Sequence, residues 1–305
     1  MSAHGGDAVS VARALGVDPA TILDLSASLN PLAPDVATLA AENLGSLARY
    51  PDDAERADAT ALLARAVGVN AERLLLTNGA AEAIALVAAE HRVGWVEPPE
   101  FSLYERHLAS IEPGAPRWRS NPNNPLGTLA PAADRAAVWD ESFWPLATGT
   151  WTRGDEGAYR LASLTKLWRC PGLRLGYVIA PDGASVARLA SRQPAWAVSG
   201  LALALIRPLL DRTDLAGWAA GIAALRTDLA ALFAGYEVVE SAANWILVHG
   251  AGDLRGSLAR HGVLVRDCAS FDLPDTIRVA VPDSAGLERV AGALARADGS
   301  YHPAP

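Results

Sequence analysis

Lysine is all but absent from this chain: of 26 lysine and arginine residues, Lys166 is the sole lysine. Cysteine is nearly as scarce. Cys170 and Cys268 stand far apart in sequence, which excludes a disulfide framework or a zinc motif, so no metal is expected, and fits a reducing, cytoplasmic setting. Positive charge is in deficit as well, with a formal net charge of -8, whereas an extended nucleic-acid surface needs a basic patch. Export signals and long apolar runs are missing too: Met1 to Ala20 carries acidic residues, and the stretch from Val198 to Leu210 is too short and interrupted to span a bilayer. Neither nucleic acid nor membrane is therefore an expected partner. What is present suffices for a folded body, because 305 residues, 50% of them hydrophobic, can bury one large core or two.

A composition that writes arginine almost everywhere has kept one primary amine, in the stretch Ser163-Leu164-Thr165-Lys166-Leu167-Trp168-Arg169-Cys170-Pro171-Gly172-Leu173-Arg174-Leu175-Gly176-Tyr177. Arginine stays protonated at any working pH, but a desolvated or cation-flanked lysine loses its proton and attacks a carbonyl. Lys166 is thus the candidate for a covalent Schiff-base site, the alternative being a surface lysine that escaped replacement. Ser163, Thr165 and Arg174, grouped around it, suit a phosphate held beside an imine.

Along the chain, apolar spacing predicts a helix from Ala8 to Leu15 ending at Gly16, a strand over Ile22 to Leu25, the loop Ser26-Ala27-Ser28-Leu29-Asn30-Pro31, and a helix from Asp35 to Leu47. A long helix follows Tyr50-Pro51-Asp52 and stops at Gly68. The strand Arg73 to Leu76 then breaks at Thr77-Asn78-Gly79 before a helix from Ala80, leaving free N–H groups at Gly79 and Ala80 where a phosphate can sit; an ordinary strand-to-helix turn reads the same way. Next come the strand Val93 to Val96, a helix opened by Phe101 and Tyr104, a strand from Trp118 into Asn121-Pro122-Asn123-Asn124-Pro125-Leu126-Gly127-Thr128, and a short strand Ala137 to Trp139 tipped by Asp140. A carboxylate at the C-terminal tip of a buried strand faces a ligand in open α/β sheets, or else caps the turn. Strands over Tyr159 to Ala162 and Leu175 to Ala180 flank the lysine stretch. Helices are expected at Ala184 to Arg192, Trp196 to Leu210 and Leu215 to Ala234. The last third alternates four strands, including Val263 to Arg266 and Thr276 to Val281, with two helices, a small α+β domain.

Together these stations resemble the fold-type I pyridoxal-phosphate enzymes, in the group shared by histidinol-phosphate aminotransferases and the threonine-phosphate decarboxylases of cobalamin biosynthesis. The resemblance covers nearly the whole chain and is carried most specifically by Asn121 to Gly127 and by the lysine stretch. It implies an α/β fold with a mostly parallel central sheet and a smaller α+β domain made of the C-terminal third and the N-terminal arm: residues 1–47 the arm, 48–213 the large cofactor-binding domain, 214–305 the small domain. It further implies that Lys166 forms the Schiff base with pyridoxal 5'-phosphate and that Asp140 pairs with the ring nitrogen. Asn124 would donate to the phenolic oxygen and Tyr104 would stack on the ring. Gly79, Ala80, Ser163, Thr165 and Arg174 would hold the phosphate, with Tyr50 reaching over from the partner of a homodimer. Arg278 would grip the substrate carboxylate. His4, Asn30 and Arg266, or Arg169, would meet the phosphate of a small phosphorylated amino acid.

Three segments resemble the decarboxylase branch: His4-Gly5-Gly6, Ser28-Leu29-Asn30-Pro31-Leu32, and Gly262-Val263-Leu264-Val265-Arg266-Asp267-Cys268-Ala269-Ser270-Phe271. Phe143 agrees, standing where the aminotransferases of the group carry a tyrosine. The expected reaction is decarboxylation of L-threonine O-phosphate, with a histidinol-phosphate-type aminotransferase and a degenerate cofactor-binding protein as alternatives. The chain is shorter than the family pattern between Tyr104 and Asn121 and between Thr128 and Asp140, so a helix and a strand of the large domain are expected to be trimmed, exposing apolar sheet surface that a neighbouring subunit would cover.

Overall fold

Short strands, most of them apolar, pair into one sheet whose parallel members gather their C-terminal tips on one edge. The computed structural model, which describes residues 5–297, has that sheet in the order Leu74–Thr77, Gly176–Ile179, Tyr159–Ser163, Val138–Asp140, Arg117–Ser120, Val93–Val96, Ser110–Ile111. All neighbours are parallel except Gly176–Ile179, which runs against both of its own. The fold is the expected α/β class with a mostly parallel central sheet. Seven strands are present in it. The short connections hold no helix: Ser110–Ile111 passes to Arg117–Ser120, and that strand to Val138–Asp140, directly.

One face of the sheet packs Val96, Trp118, Val138, Tyr159, Leu161 and Val178 against the helix Gly79–Glu90 through Ile84, Leu86 and Val87. On the other face, Leu74, Leu76, Tyr177 and Ile179 meet the helices Asp53–Val67 and Gly200–Leu210. Farther along that second face, where helices are absent, Val93 is exposed, but the tryptophans are bordered by arginines. Pairing register places Trp95 beside Arg117 and Arg119 beside Trp139, itself beside Arg160. Arg117 pairs with Glu97 at 2.6 Å, Arg119 pairs with Asp134, Trp139 Nε1 donates to Asp155 at 2.9 Å, and the Arg153 guanidinium lies 4.4 Å from the Trp139 ring centroid. A guanidinium over one ring and carboxylate-paired arginines beside both make this face largely charged within one chain.

The C-terminal part forms a four-stranded antiparallel sheet in the order Arg266–Asp267, Thr276–Ala280, Trp245–His249, Glu237–Val239, with the helices Leu254–Arg260 and Ser284–Ala297. The strand expected over Val263 to Arg266 divides: Val263–Leu264 pairs with Leu23–Asp24 of the N-terminal arm, and Arg266–Asp267 turns into the four-stranded sheet. That division swings Arg266 toward Arg278, its partner in register. Other boundaries move for local reasons. The helix expected over Asp35 to Leu47 stops at Glu42, where the Asn43 side chain donates to Leu39 O, and a 3-10 turn Leu44–Ala48 continues. The one expected from Trp196 begins at Gly200, capped by Ser199 Oγ, because Trp196 is left-handed at φ 55°. The helix Leu215–Leu232 is apolar and long enough to cross a bilayer by composition, but it buries Leu215, Trp218, Ile222 and Leu229 while Arg226 donates to the carbonyls of Ala242 and Ala243.

Replacing both Arg117 and Arg119 with leucine should turn the clad face into an apolar patch around Trp95 and Trp139, and light scattering should show concentration-dependent association beyond the parent's. An unchanged association state would mean that the arginines are not what keeps this face soluble.

Candidate active site

The strand tips converge on a cavity of about 310 Å³ whose lining includes Ala80, Tyr104, Asn124, Asp140, Ser163, Thr165, Lys166, Arg174, Arg266 and Arg278. Lys166 arrives there because the strand Tyr159–Ser163 passes straight into the short helical turn Leu164–Leu167. Its amine lies 5.6 Å from the Phe143 ring centroid. Burial, then the charge of Arg278, lowers its pKa from 10.5 to about 8; Asp140 pulls the other way and Arg174 adds to the depression. An amine in this setting is neutral in useful amounts near neutral pH, which is what attack on a carbonyl requires.

Asp140 ends its strand as a buried carboxylate that accepts from Ser142 N at 2.9 Å and from the Tyr104 hydroxyl at 2.9 Å. Burial raises its pKa, against the bonds from Ser142 and Tyr104 and the charge of Lys166. Tyr104, expected from the sequence as a stacking ring, here gives its hydroxyl to that carboxylate, with its ring edge-on to Phe101 at 5.8 Å.

The anion end of the cavity is built from backbone approach. Gly79 has φ 73°, and a Cβ there would sit 2.5 Å from Arg174 Nη2, so only glycine lets the guanidinium lie against the start of the helix Gly79–Glu90. A Cβ on Gly176 would sit 2.7 Å from Ala162 O and 2.9 Å from Ala80 N, so glycine also sets how closely the lysine strand and this helix meet. Ser163 and Thr165 share a hydroxyl contact of 2.6 Å and face the same space. Free N–H groups, two hydroxyls and an arginine make a site for a phosphate group.

At the opposite end, Arg278 is 6% exposed, donates from Nη1 to Asn124 Oδ1 at 2.5 Å and from Nη2 to Ser26 O at 3.2 Å, and stands over Trp245. Burial lowers its pKa to about 10, which leaves it charged at neutral pH. Arg266 is equally buried, bonds Ser270 Oγ at 3.0 Å, and completes a pair of inward cations. Gly5 is on the rim, where a Cβ would meet Ser26 O at 2.2 Å; His4, next to it, lies outside the described residues.

Three expected residues are placed elsewhere. Asn30 braces the back of the lysine turn, donating from Nδ2 to Leu167 O and from N to Lys166 O, with its oxygen taken by Leu32 N. Arg169 is exposed and borders a different cleft with Ala280 and Pro282. Tyr50 is 74% exposed, its ring 4.5 Å from that of Trp196, away from the cavity of its own chain. Missed in the sequence were Ser120, at the tip of its strand, and Glu100, which bonds it. The strand-tip rule that singled out Asp140 applies equally to Ser120 and would have found it.

Residues 118–294 match the family described as Aminotransferase class I and II. The threonine-phosphate decarboxylase of Salmonella typhimurium (strain LT2) is 31% identical over 351 residues, covering 96% of each chain. Histidinol-phosphate aminotransferase 1 of Thiobacillus denitrificans is 29% identical, over 89% of this chain and 84% of that one. Among solved structures, the histidinol-phosphate aminotransferase from Sinorhizobium meliloti in complex with pyridoxal-5'-phosphate superposes with a TM-score of 0.80 at 17% identity, covering 96% of this chain and 94% of that one. The L-threonine-O-3-phosphate decarboxylase from Porphyromonas gingivalis gives 0.74 at 22% identity, over 89% and 98%. At such identities the structural matches establish the shared fold.

The setting of Lys166 generates a pH expectation. Its folded pKa lies below the ordinary value, so the cofactor-free protein should condense with an aldehyde at a rate that climbs with pH and is half-maximal near 8. A midpoint near 10.5, the value of an unperturbed lysine, would contradict the burial of the amine.

Proposed function

Since this chain belongs to the aminotransferase class I and II family, we propose that it decarboxylates L-threonine O-phosphate to (R)-1-aminopropan-2-ol phosphate, a step of cobalamin biosynthesis. The chain is dependent on pyridoxal phosphate, as its family is. The cavity fits that group, since a depressed-pKa amine, a buried carboxylate and a glycine-shaped anion seat line one space. When bound, the cofactor supplies an aromatic electron sink for the pair left when a bond to Cα breaks.

The chain's own groups do the rest. Lys166 provides the nucleophilic amine and, as ammonium, the proton returned to Cα. Asp140 keeps a proton on the ring nitrogen, for which its carboxylate is already oriented by Ser142. Gly79, Ala80, Ser163, Thr165 and Arg174 hold the cofactor phosphate, and Asn124 serves the phenolic oxygen. Arg278 takes the substrate carboxylate with a planar fork whose direction is fixed by Asn124 and Ser26. Arg266 meets the substrate phosphate. The exposed Tyr50, packed on Trp196, supports a homodimer in which it reaches the neighbouring cavity.

The observation that carries the reading is the pair of buried guanidiniums, Arg266 and Arg278, lining one cavity with Lys166, a match for an amino acid with two anionic ends. Decarboxylation rather than transamination is favoured by the identity to a decarboxylase along 96% of both chains and by Phe143, whose ring, set edge-on to Trp245 at 4.7 Å, has no hydroxyl for the cofactor. A histidinol-phosphate aminotransferase is the second reading, favoured by the 29% relative.

The purified protein with pyridoxal phosphate should release carbon dioxide from L-threonine O-phosphate without an oxo-acid. Amino transfer from histidinol phosphate to 2-oxoglutarate, with no carbon dioxide from the first substrate, would establish the second reading instead.

A further inference from the structure

We infer that Glu100 is a positioning residue of the site, acting from outside the cavity through Ser120 on Asn124 and, through Asn124, on Arg278. Glu100 borders a second cleft, of about 240 Å³, lined also by Glu97, Arg117, Arg119 and Asn123, beside the strand Arg117–Ser120, whose connections hold no helix. Ser120 stands between this cleft and the active-site cavity and lines the latter.

The carboxylate takes Ser120 in a two-point clamp: Ser120 N donates to Oε1 at 3.0 Å and Ser120 Oγ donates to Oε2. With its hydrogen committed to Glu100, the hydroxyl presents a lone pair to Asn124, whose backbone N–H donates to Oγ at 2.8 Å. Asn124 in turn accepts at Oδ1 from Arg278 Nη1 at 2.5 Å, which fixes which way its side-chain amide faces. Three bonds in series therefore run from a carboxylate at a solvent cleft to the two residues read above as serving the phenolic oxygen and the substrate carboxylate. A carboxylate that only capped its own loop would be accounted for by the bond from Phe101 N at 3.2 Å and would not need both donors of Ser120. Burial pushes the Glu100 carboxyl up to about 7, with the two Ser120 bonds opposing and the charge of Asp140 adding to the rise. A group held against that cost is stabilised mainly by the clamp itself.

The inference rests on the cofactor reading above, and the experiment separates the two. The whole protein is reconstituted with pyridoxal phosphate, and the visible band of the cofactor joined to Lys166 is titrated with pH in the parent, Glu100→Gln, Ser120→Ala and the double variant. Glutamine keeps the shape but puts an NH2 donor where one of the two acceptor oxygens stood, so it cannot offer each Ser120 donor its own oxygen. Once Asn124 drifts, the phenolic oxygen keeps more charge and holds the neighbouring proton harder. Each single variant should raise the titration midpoint by about half a pH unit and raise KM for L-threonine O-phosphate about fivefold, with a smaller change in kcat. Because both act through one contact, the double variant should shift no further than the larger single. Folded single variants with parental midpoint and KM, or a double variant whose shifts add, would overturn the inference while leaving the cofactor reading intact. If Glu100→Gln does not fold, Ser120→Ala decides by the same measurements. A parent protein that develops no visible band would overturn the cofactor reading and this inference with it.

Discussion

The burial of one amine between two guanidiniums and a carboxylate is the constraint on which this structure turns. Lys166 is desolvated, faces Arg278 and Arg174, and is opposed by Asp140, so its charged form is disfavoured and its neutral form is available for chemistry. Removing any one of these influences alters the others. Asp140 is itself buried, which raises its pKa against the bonds from Ser142 and Tyr104, and Arg278 depends on Asn124 and Ser26 for its orientation.

The fold supplies that arrangement cheaply. Parallel strands deliver Ser120, Asp140 and Ser163 to one edge, in register with one another through Ser120↔Asp140 and Asp140↔Leu161. The antiparallel strand Gly176–Ile179 then returns the chain beside the lysine turn, so that Arg174, left-handed at φ 57°, ends against Gly79. Two glycines govern how closely these parts approach, and both sit where a side chain would strike backbone or the arginine. The small sheet contributes from the other side, where Arg266 and Arg278 are cross-strand partners on adjacent strands.

Much of this was legible in the sequence, for reasons specific to each residue. Lys166 stood out because the chain has no other lysine, and Asp140 because a carboxylate on an apolar strand tip has few roles. Arg278 was legible because apolar neighbours bury it, and Gly79 because a Thr-Asn-Gly turn ends a strand. What stayed hidden depends on contacts between distant segments. Asn30 turned out to brace Lys166 from behind, a use of its amide that nothing local announces. Ser120 and Glu100 are twenty residues apart and meet only because the loop after Val93–Val96 comes back to the end of its sheet neighbour Arg117–Ser120. Shortened connections pointed to exposed apolar sheet surface, but length alone cannot show that Arg117, Arg119, Arg153 and their carboxylates border the tryptophans of that face.

The scarcity of lysine makes the central claim open to a direct measurement. The protein, incubated with pyridoxal phosphate and reduced with borohydride, is digested and mapped by mass spectrometry. The account predicts one modified peptide, carrying the adduct at Lys166, and no such peptide from Lys166→Arg, which retains the charge but not the nucleophile. An intact, folded protein whose Lys166 peptide stays unmodified at saturating cofactor would contradict it.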